Sequence, residues 1–246
     1  MTTEATLASF VETVDTDVDT HPLDDPVRQG LRGHHAQFAR WAGRVARYDP
    51  TVAPFVGHPP ELDAEDWENL LTLVGPGGTV GLRGFDHRPP EGWRVVDQFG
   101  SVQMDGSALE VSVDPSVELL GTGDVPEILA LIERTKPGPF LPRTVEMGSY
   151  YGIRVDGRLV AMAGGERLHP PGWTEISAVC TDSDFRGGRG LGTTLIRAVA
   201  AGIRERGELP FLHAVQSNTN AIRLYESLGG FVLRKRSRLT AVQAPA

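Results

Sequence analysis

The stretch from Trp173 to Ile203 constrains this chain more than any other. A β-type run, Trp173–Thr181, leads into a glycine- and arginine-rich loop, Phe185-Arg186-Gly187-Gly188-Arg189-Gly190-Leu191-Gly192-Thr193-Thr194. A long helical pattern follows at once: Leu191, Leu195, Val199 and Ile203 recur every four residues, with Ile196 and Ala200 beside them, the spacing of one apolar helix face. Glycines let successive N–H groups turn toward one point. The helix start adds unpaired N–H groups and the positive end of the dipole, and Arg186 and Arg189 add formal charge. Such a loop suits a diphosphate; the plain alternative is a tight turn with exposed arginines. Two common nucleotide loops fail on spacing. A P-loop ends in Gly-Lys-Ser/Thr, and no lysine stands here. A dinucleotide fingerprint needs G-x-G-x-x-G, whereas counting from Gly188 or Gly190 the sixth residue is Thr193 or Leu195.

The flanking pattern predicts a domain over 115–246. Val117–Leu120 reads as a strand, and Asp124 with Glu127 as a capping box opening a helix. Tyr151–Val155 and Leu159–Ala163 form a hairpin about Asp156-Gly157. After the long helix come a strand at Phe211–Val215 and a helix capped by Asn218, with Ala221, Leu224, Tyr225 and Leu228 on one face and Gly229 at its end. Two short strands, Phe231–Leu233 and one near Leu239, complete it. This order implies an α+β fold, a mixed three-layer sandwich around a mostly antiparallel sheet, not a doubly wound one.

Upstream, residues 1–26 read as an acidic extension with a short helix near Leu7–Val14. Residues 27–104 read as a separate α/β domain, with a junction at 105–115. Its expected elements are a helix from Val27 to Trp41 carrying a surface or half-buried His34-His35 pair, strands at Arg44–Tyr48 and Ala53–Val56, a helix capped by Asp63, and strands at Thr79–Arg83 and Trp93–Met104. The chain has 246 residues and a net charge of −8. Residues 1–110 carry 18 acidic and 8 basic side chains, and residues 111–246 carry 14 and 16. That balance and a pI near 5.4 argue against a nucleic-acid partner. No apolar run reaches membrane-spanning length, and the acidic start is unlike a signal peptide, so a cytoplasmic protein is expected. A single cysteine, Cys180, excludes an intramolecular disulfide and a cysteine-based zinc cluster; no metal site is expected. Lys136 and Lys235 are the only lysines among 24 basic residues, the codon bias of a GC-rich bacterial genome.

Three motifs then stand in order: Thr174-Glu175-Ile176-Ser177-Ala178-Val179-Cys180-Thr181, the arginine/glycine loop, and Asn218-x-x-Ala221-Ile222-x-Leu224-Tyr225-x-x-Leu228-Gly229. Together they resemble the GNAT N-acetyltransferase superfamily over roughly residues 115–240. The closest likeness is to the branch in which a degenerate half precedes the catalytic domain, which would describe 27–104. The resemblance implies that acetyl-CoA lies along the backbone of Ala178, Val179, Cys180 and Thr181. Its diphosphate would lie on Arg186, Gly187, Gly188, Arg189, Gly190, Leu191, Gly192 and Thr193, with Asn218 binding the cofactor arm. The family loop, Arg/Gln-x-x-Gly-x-Gly/Ala, puts Gly187 rather than Arg186 at the basic position, so this loop carries one extra residue. Gly164-Gly165 and Gly229-Gly230 are further doublets where the family usually has one glycine.

The implied function is transfer of an acetyl or short acyl group from acetyl-CoA to a primary amine, on a small molecule or peptide, by direct attack in a ternary complex. Tyr225 would protonate the leaving thiolate, and Glu175 is the candidate base, with Glu166, His213 or water as alternates. Core packing for Tyr225 and a surface carboxylate for Glu175 are the competing structural roles. Cys180 is an unpromising nucleophile, with no histidine paired to it. The alternative function is a non-catalytic acyl-CoA-binding or interaction protein on the same fold.

Overall fold

The computed structural model describes residues 21–85, 88–165, 167–187 and 190–246. The helix expected near Leu7–Val14 lies outside them, as do Glu166, Gly188 and Arg189.

Eight strands form one sheet. From one edge the order is β4 (Thr79–Arg83), β11 (Val232–Gln243), β5 (Arg94–Asp105), β10 (Leu209–Val215), β9 (Trp173–Thr181), β8 (Arg158–Gly165), β7 (Tyr150–Val155) and β6 (Val117–Leu120). Every neighbouring pair is antiparallel except β9 and β10, which run parallel. This is the mixed, mostly antiparallel sheet that the sequence pattern implies. Strands from both sides of residues 105–115 share it, because β5 lies between β10 and β11.

Helices cover both faces, as strand alternation requires. On β8, Ala161 and Ala163 pack in the cluster with Leu195, Ile196 and Val199 of α4 (Leu191–Glu205). Leu159 and Met162 pack instead with Ile128 and Leu131 of α3 (Val125–Thr135). Burying each large aliphatic side chain contributes about 1.5–3 kcal/mol. On β10, Leu212 joins the α4 cluster, which also holds Tyr225 and Leu228 at α5 (Thr219–Ser227). Phe211 faces the other way, onto Leu23, Val27 and Leu31. These last belong to the segment containing α1 (Pro26–Arg32).

A second, three-stranded sheet joins β1 (Ala39–Ala42), β2 (Val45–Tyr48) and β3 (Val56–Gly57), and α2 (Ala64–Val74) packs on it. Asp63 caps α2 as expected: it accepts from Asp66 N at 3.0 Å, and Asp66 accepts from Asp63 N at 3.1 Å.

Four expectations are corrected. The helix from Val27 stops at Arg32, before Gly33, and β1 occupies part of the remainder. His35 therefore lies outside any α-helix and is buried, receiving the Tyr48 hydroxyl at Nδ1 (2.8 Å) and donating Nε2–H to Met147 O (3.0 Å). Of the strand at Ala53–Val56, only Val56–Gly57 pairs. Asp124 does not cap α3; its carboxylate accepts from Gly121 N at 2.8 Å, and Arg154 bridges it to Glu127. The two terminal strands are one, β11, whose register on β5 shifts between Leu233 and Lys235.

Candidate active site

The parallel pair makes the site. β9 and β10 are in register only at Leu209/Trp173, Pro210/Thr174 and Phe211/Glu175. Beyond Glu175 the strands part. β10 continues along β5, while β9 stays with β8. The β9 edge over Ile176–Thr181 is left without a strand on its β10 side. A β-bulge sits in this stretch: Met162 opposes Cys180 and Gly164 opposes Ser177, so β9 carries an extra residue. Ala178 takes φ 51° there, a left-handed conformation that costs a non-glycine residue about 1–3 kcal/mol. The bulge turns backbone groups away from the ladder and into the opening. The Cys180 thiol points elsewhere, under α3, where burial raises its pKa.

The loop after β9 is anchored at its start. Asp182 is buried and accepts from Arg134 (2.8 Å) and Arg158 (2.5 Å). Arg186 turns back to donate Nε–H to Thr181 O at 2.8 Å. The loop enters α4 through Gly190, whose φ of 65° is the left-handed cap conformation that glycine adopts freely. Gly190 has no side chain to cap the helix, so the first-turn N–H groups of Leu191, Gly192 and Thr193 have no intrahelical acceptor. They remain available to an anion. Across the opening, Asn218 caps α5, accepting from Ala221 N at 3.2 Å. Tyr225 is 7% exposed. Burial pushes its pKa up to about 12, so it is a proton donor at neutral pH.

The face opposite α4 carries a buried polar cluster. Glu175 is fully buried and not a surface carboxylate. Arg167 grips it with two bonds, Nε to Oε2 at 3.0 Å and Nη2 to Oε1 at 2.7 Å. His213 donates Nδ1–H to Oε1 at 2.7 Å. Although burial works in the other direction, Arg167 and His213 hold the carboxyl well below its ordinary range. Glu175 therefore stays ionised and is a weak base, which replaces the role expected for it. His213 is itself pushed down to about 4 by burial and by the Arg83 charge, so it is neutral. Its tautomer follows from its neighbours: Gln103 donates to His213 Nε2 (3.0 Å) and to Leu23 O (2.8 Å), and accepts from Arg234 (2.8 Å). Glu175 is thus the last β9 residue paired with β10, just before the unpaired edge, while Tyr225 packs in the cluster on the α4 face. Arg167, Gln103 and Arg83 were not legible as site residues. The one available signal was a polar residue at an inward strand position, as at Gln103 between Val102 and Met104.

Among the described residues, no cluster of histidine, cysteine or carboxylate side chains could hold a metal ion, and no helix is long and apolar enough to cross a membrane.

Comparison with known proteins agrees with this geometry. A family model described as FR47-like protein matches residues 150–239. A crystal structure from Novosphingobium aromaticivorans, described as an acetyltransferase of the GNAT family, is 39% identical; the match covers 92% of this chain and all of that one, with a TM-score of 0.82. A GCN5-related N-acetyltransferase from Kribbella flavida shares the fold at 19% identity and TM-score 0.55, over 88% of this chain and 96% of that one. A Drosophila protein does so at 18% and 0.55, over 81% and 73%. No protein with a curated description matches. With its parted parallel strands, its glycine-capped helix and a 39% identical relative spanning nearly its whole length, the chain belongs to the GNAT acetyltransferase family.

Proposed function

We propose that the protein is an N-acetyltransferase that uses acetyl-CoA as donor and a primary amine as acceptor, by direct attack. One observation carries this reading: β9 and β10 part beyond Glu175 and Phe211, beside a helix start with free N–H groups. The residues present fit the cofactor. The N–H groups of Leu191, Gly192 and Thr193, with Gly187, Gly190 and the loop arginines, would hold the diphosphate. The unpaired β9 edge at Ala178–Thr181 would pair with the amides of the pantetheine arm, and Asn218 would donate its amide to that arm.

Acetyl-CoA, when bound, supplies a thioester carbonyl that the amine attacks, with loss of the C–S bond. An N–H turned out by the bulge would stabilise the oxyanion. The Tyr225 hydroxyl gives its proton to the departing sulfur. The amine gives up its proton to water in the open cleft, because Glu175 is held ionised by Arg167 and His213 is depressed to about 4. Glu175 fixes Arg167 and His213 in place.

Calorimetry with acetyl-CoA, followed by thiol release over a panel of amines, amino acids and peptides, tests this. Binding with acceptor-dependent thiol release is expected. No binding of acetyl-CoA overturns the reading, and binding without turnover favours the non-catalytic alternative.

A further inference from the structure

A cleft of about 500 Å³ opens on the face of the sheet opposite α4. Its walls are the Leu23–Gln29 segment, the chain around β3 and the Lys235–Arg238 part of β11, and its floor includes Arg83, Gln103 and His213. His213 leads directly to Glu175, the last residue of β9 paired with β10. One hydrogen bond therefore links the cleft floor to the point where the strands part.

The charges around this cleft do not balance. Both of its wall carboxylates are engaged: Asp24 pairs with Arg234 (2.9 Å) and Lys235 (3.6 Å), and Asp25 with Arg28. The cluster at and behind the floor holds two half-buried guanidinium groups, Arg83 and Arg167, against one carboxylate, Glu175. Arg167 takes both oxygens of that carboxylate. Arg83 donates Nη1–H to Ser101 Oγ at 3.2 Å, and no carboxylate among the described residues pairs with it. With one carboxylate shared between two guanidinium groups, and held by Arg167, the half-buried Arg83 has no carboxylate of its own at the cleft floor. A guanidinium with no paired carboxylate, set at the floor of a cleft, is a ready partner for an anion.

We propose that this cleft binds the acceptor and that the acceptor is an amine carrying its own carboxylate, an amino acid or short peptide, with the carboxylate on Arg83. The planar fork of Arg83 can pair a carboxylate through two parallel bonds, and Arg236 and Arg238 on the wall add to the positive charge of the cleft. The volume exceeds that of one small amino acid, so a bulky side chain or a second residue fits. This inference rests on the acetyltransferase reading.

The test compares matched pairs on the full-length protein: free amino acids and dipeptides against their C-terminal amides, by calorimetry and by acetyl transfer. Acids should bind and react better than amides by roughly 10- to 100-fold, and Arg83→Gln should close that gap through KM. Preference for single residues over dipeptides, or the reverse, separates the two sources. Amides equal to acids, a gap unchanged in Arg83→Gln, or preference for phosphoethanolamine would overturn the proposal. If Arg83→Gln does not fold, the acid–amide comparison on the unaltered protein decides alone. Acetyl-CoA binding without acid preference sinks the carboxylate site and spares the acetyltransferase reading. Acid-selective binding without acetyl-CoA binding does the opposite.

Discussion

Arg167 and Glu175 form a two-pronged ion pair, 2.7 and 3.0 Å, with the carboxylate fully buried where β9 leaves β10. Glu175→Gln would leave Arg167 buried without its counter-charge. Removing one partner of such a pair typically costs about 3–5 kcal/mol. We expect a loss of that size in urea unfolding at pH 7. A change below 1 kcal/mol would mean that the pair is not structural.

Stability should fall in mild acid. His35 and His213 are both held near pKa 4 by burial, against an ordinary 6.5, and His58 is shifted the same way. Between about pH 6.5 and 4 the unfolded chain takes up protons that the folded chain refuses, so stability drops as pH falls through that window. Each of the first two histidines contributes on the order of 2 kcal/mol of this loss by pH 5. Below the ordinary carboxylate range Glu175 adds to it, since its folded-state pKa is depressed. Melting temperatures at pH 7 and 5 check the sign; equal values would contradict it.

The pH dependence of turnover should belong to the acceptor. With neither Glu175 nor His213 suited to take a proton at neutral pH, kcat/KM should rise with the fraction of free amine. Its midpoint should move with the pKa of the acceptor across a series. A fixed midpoint near 6–7 for all acceptors would identify an enzyme base instead.

Tyr225→Phe removes the proposed proton donor and keeps the ring that packs 5.7 Å from Phe231. Thiol release should slow by about 10²- to 10⁴-fold, while acetyl-CoA affinity measured by calorimetry holds. An unchanged rate would return Tyr225 to a purely packing role.

Local signals carried much of this structure in the sequence. Leu195, Val199 and Ile203 announce α4, Asp63 announces α2, and Asp156-Gly157 places the β7–β8 hairpin, because each effect is settled within one turn of chain. Long-range pairing left no such trace. β11 reads as two pieces because Arg234, Lys235, Arg236 and Arg238 interrupt any apolar run; its continuity comes from β5, more than a hundred residues away. The charged cluster was legible only in part for the same reason, since Arg83, Glu175 and His213 come from three strands that meet only in the folded sheet. One oddity does resolve: Gly229 adopts φ 76°, and a side chain on Gly230 would come within 2.2 Å of the Leu109 backbone. The doublet thus serves two different needs.

The placement of β5 between β10 and β11 also has a consequence for synthesis. When Asp105 leaves the ribosome, both neighbours of its strand are still untranslated, and roughly a hundred residues must follow before β10 emerges. At about 5–20 residues per second that is a wait of roughly 5–20 seconds. Throughout it a twelve-residue strand has two open edges, which is a template for pairing with the wrong chain. A gene fragment that starts after residue 110 would make the complementary error, delivering β10 and β11 to a gap with nothing to fill it. In this protein the half that resembles an enzyme is therefore not a portable one.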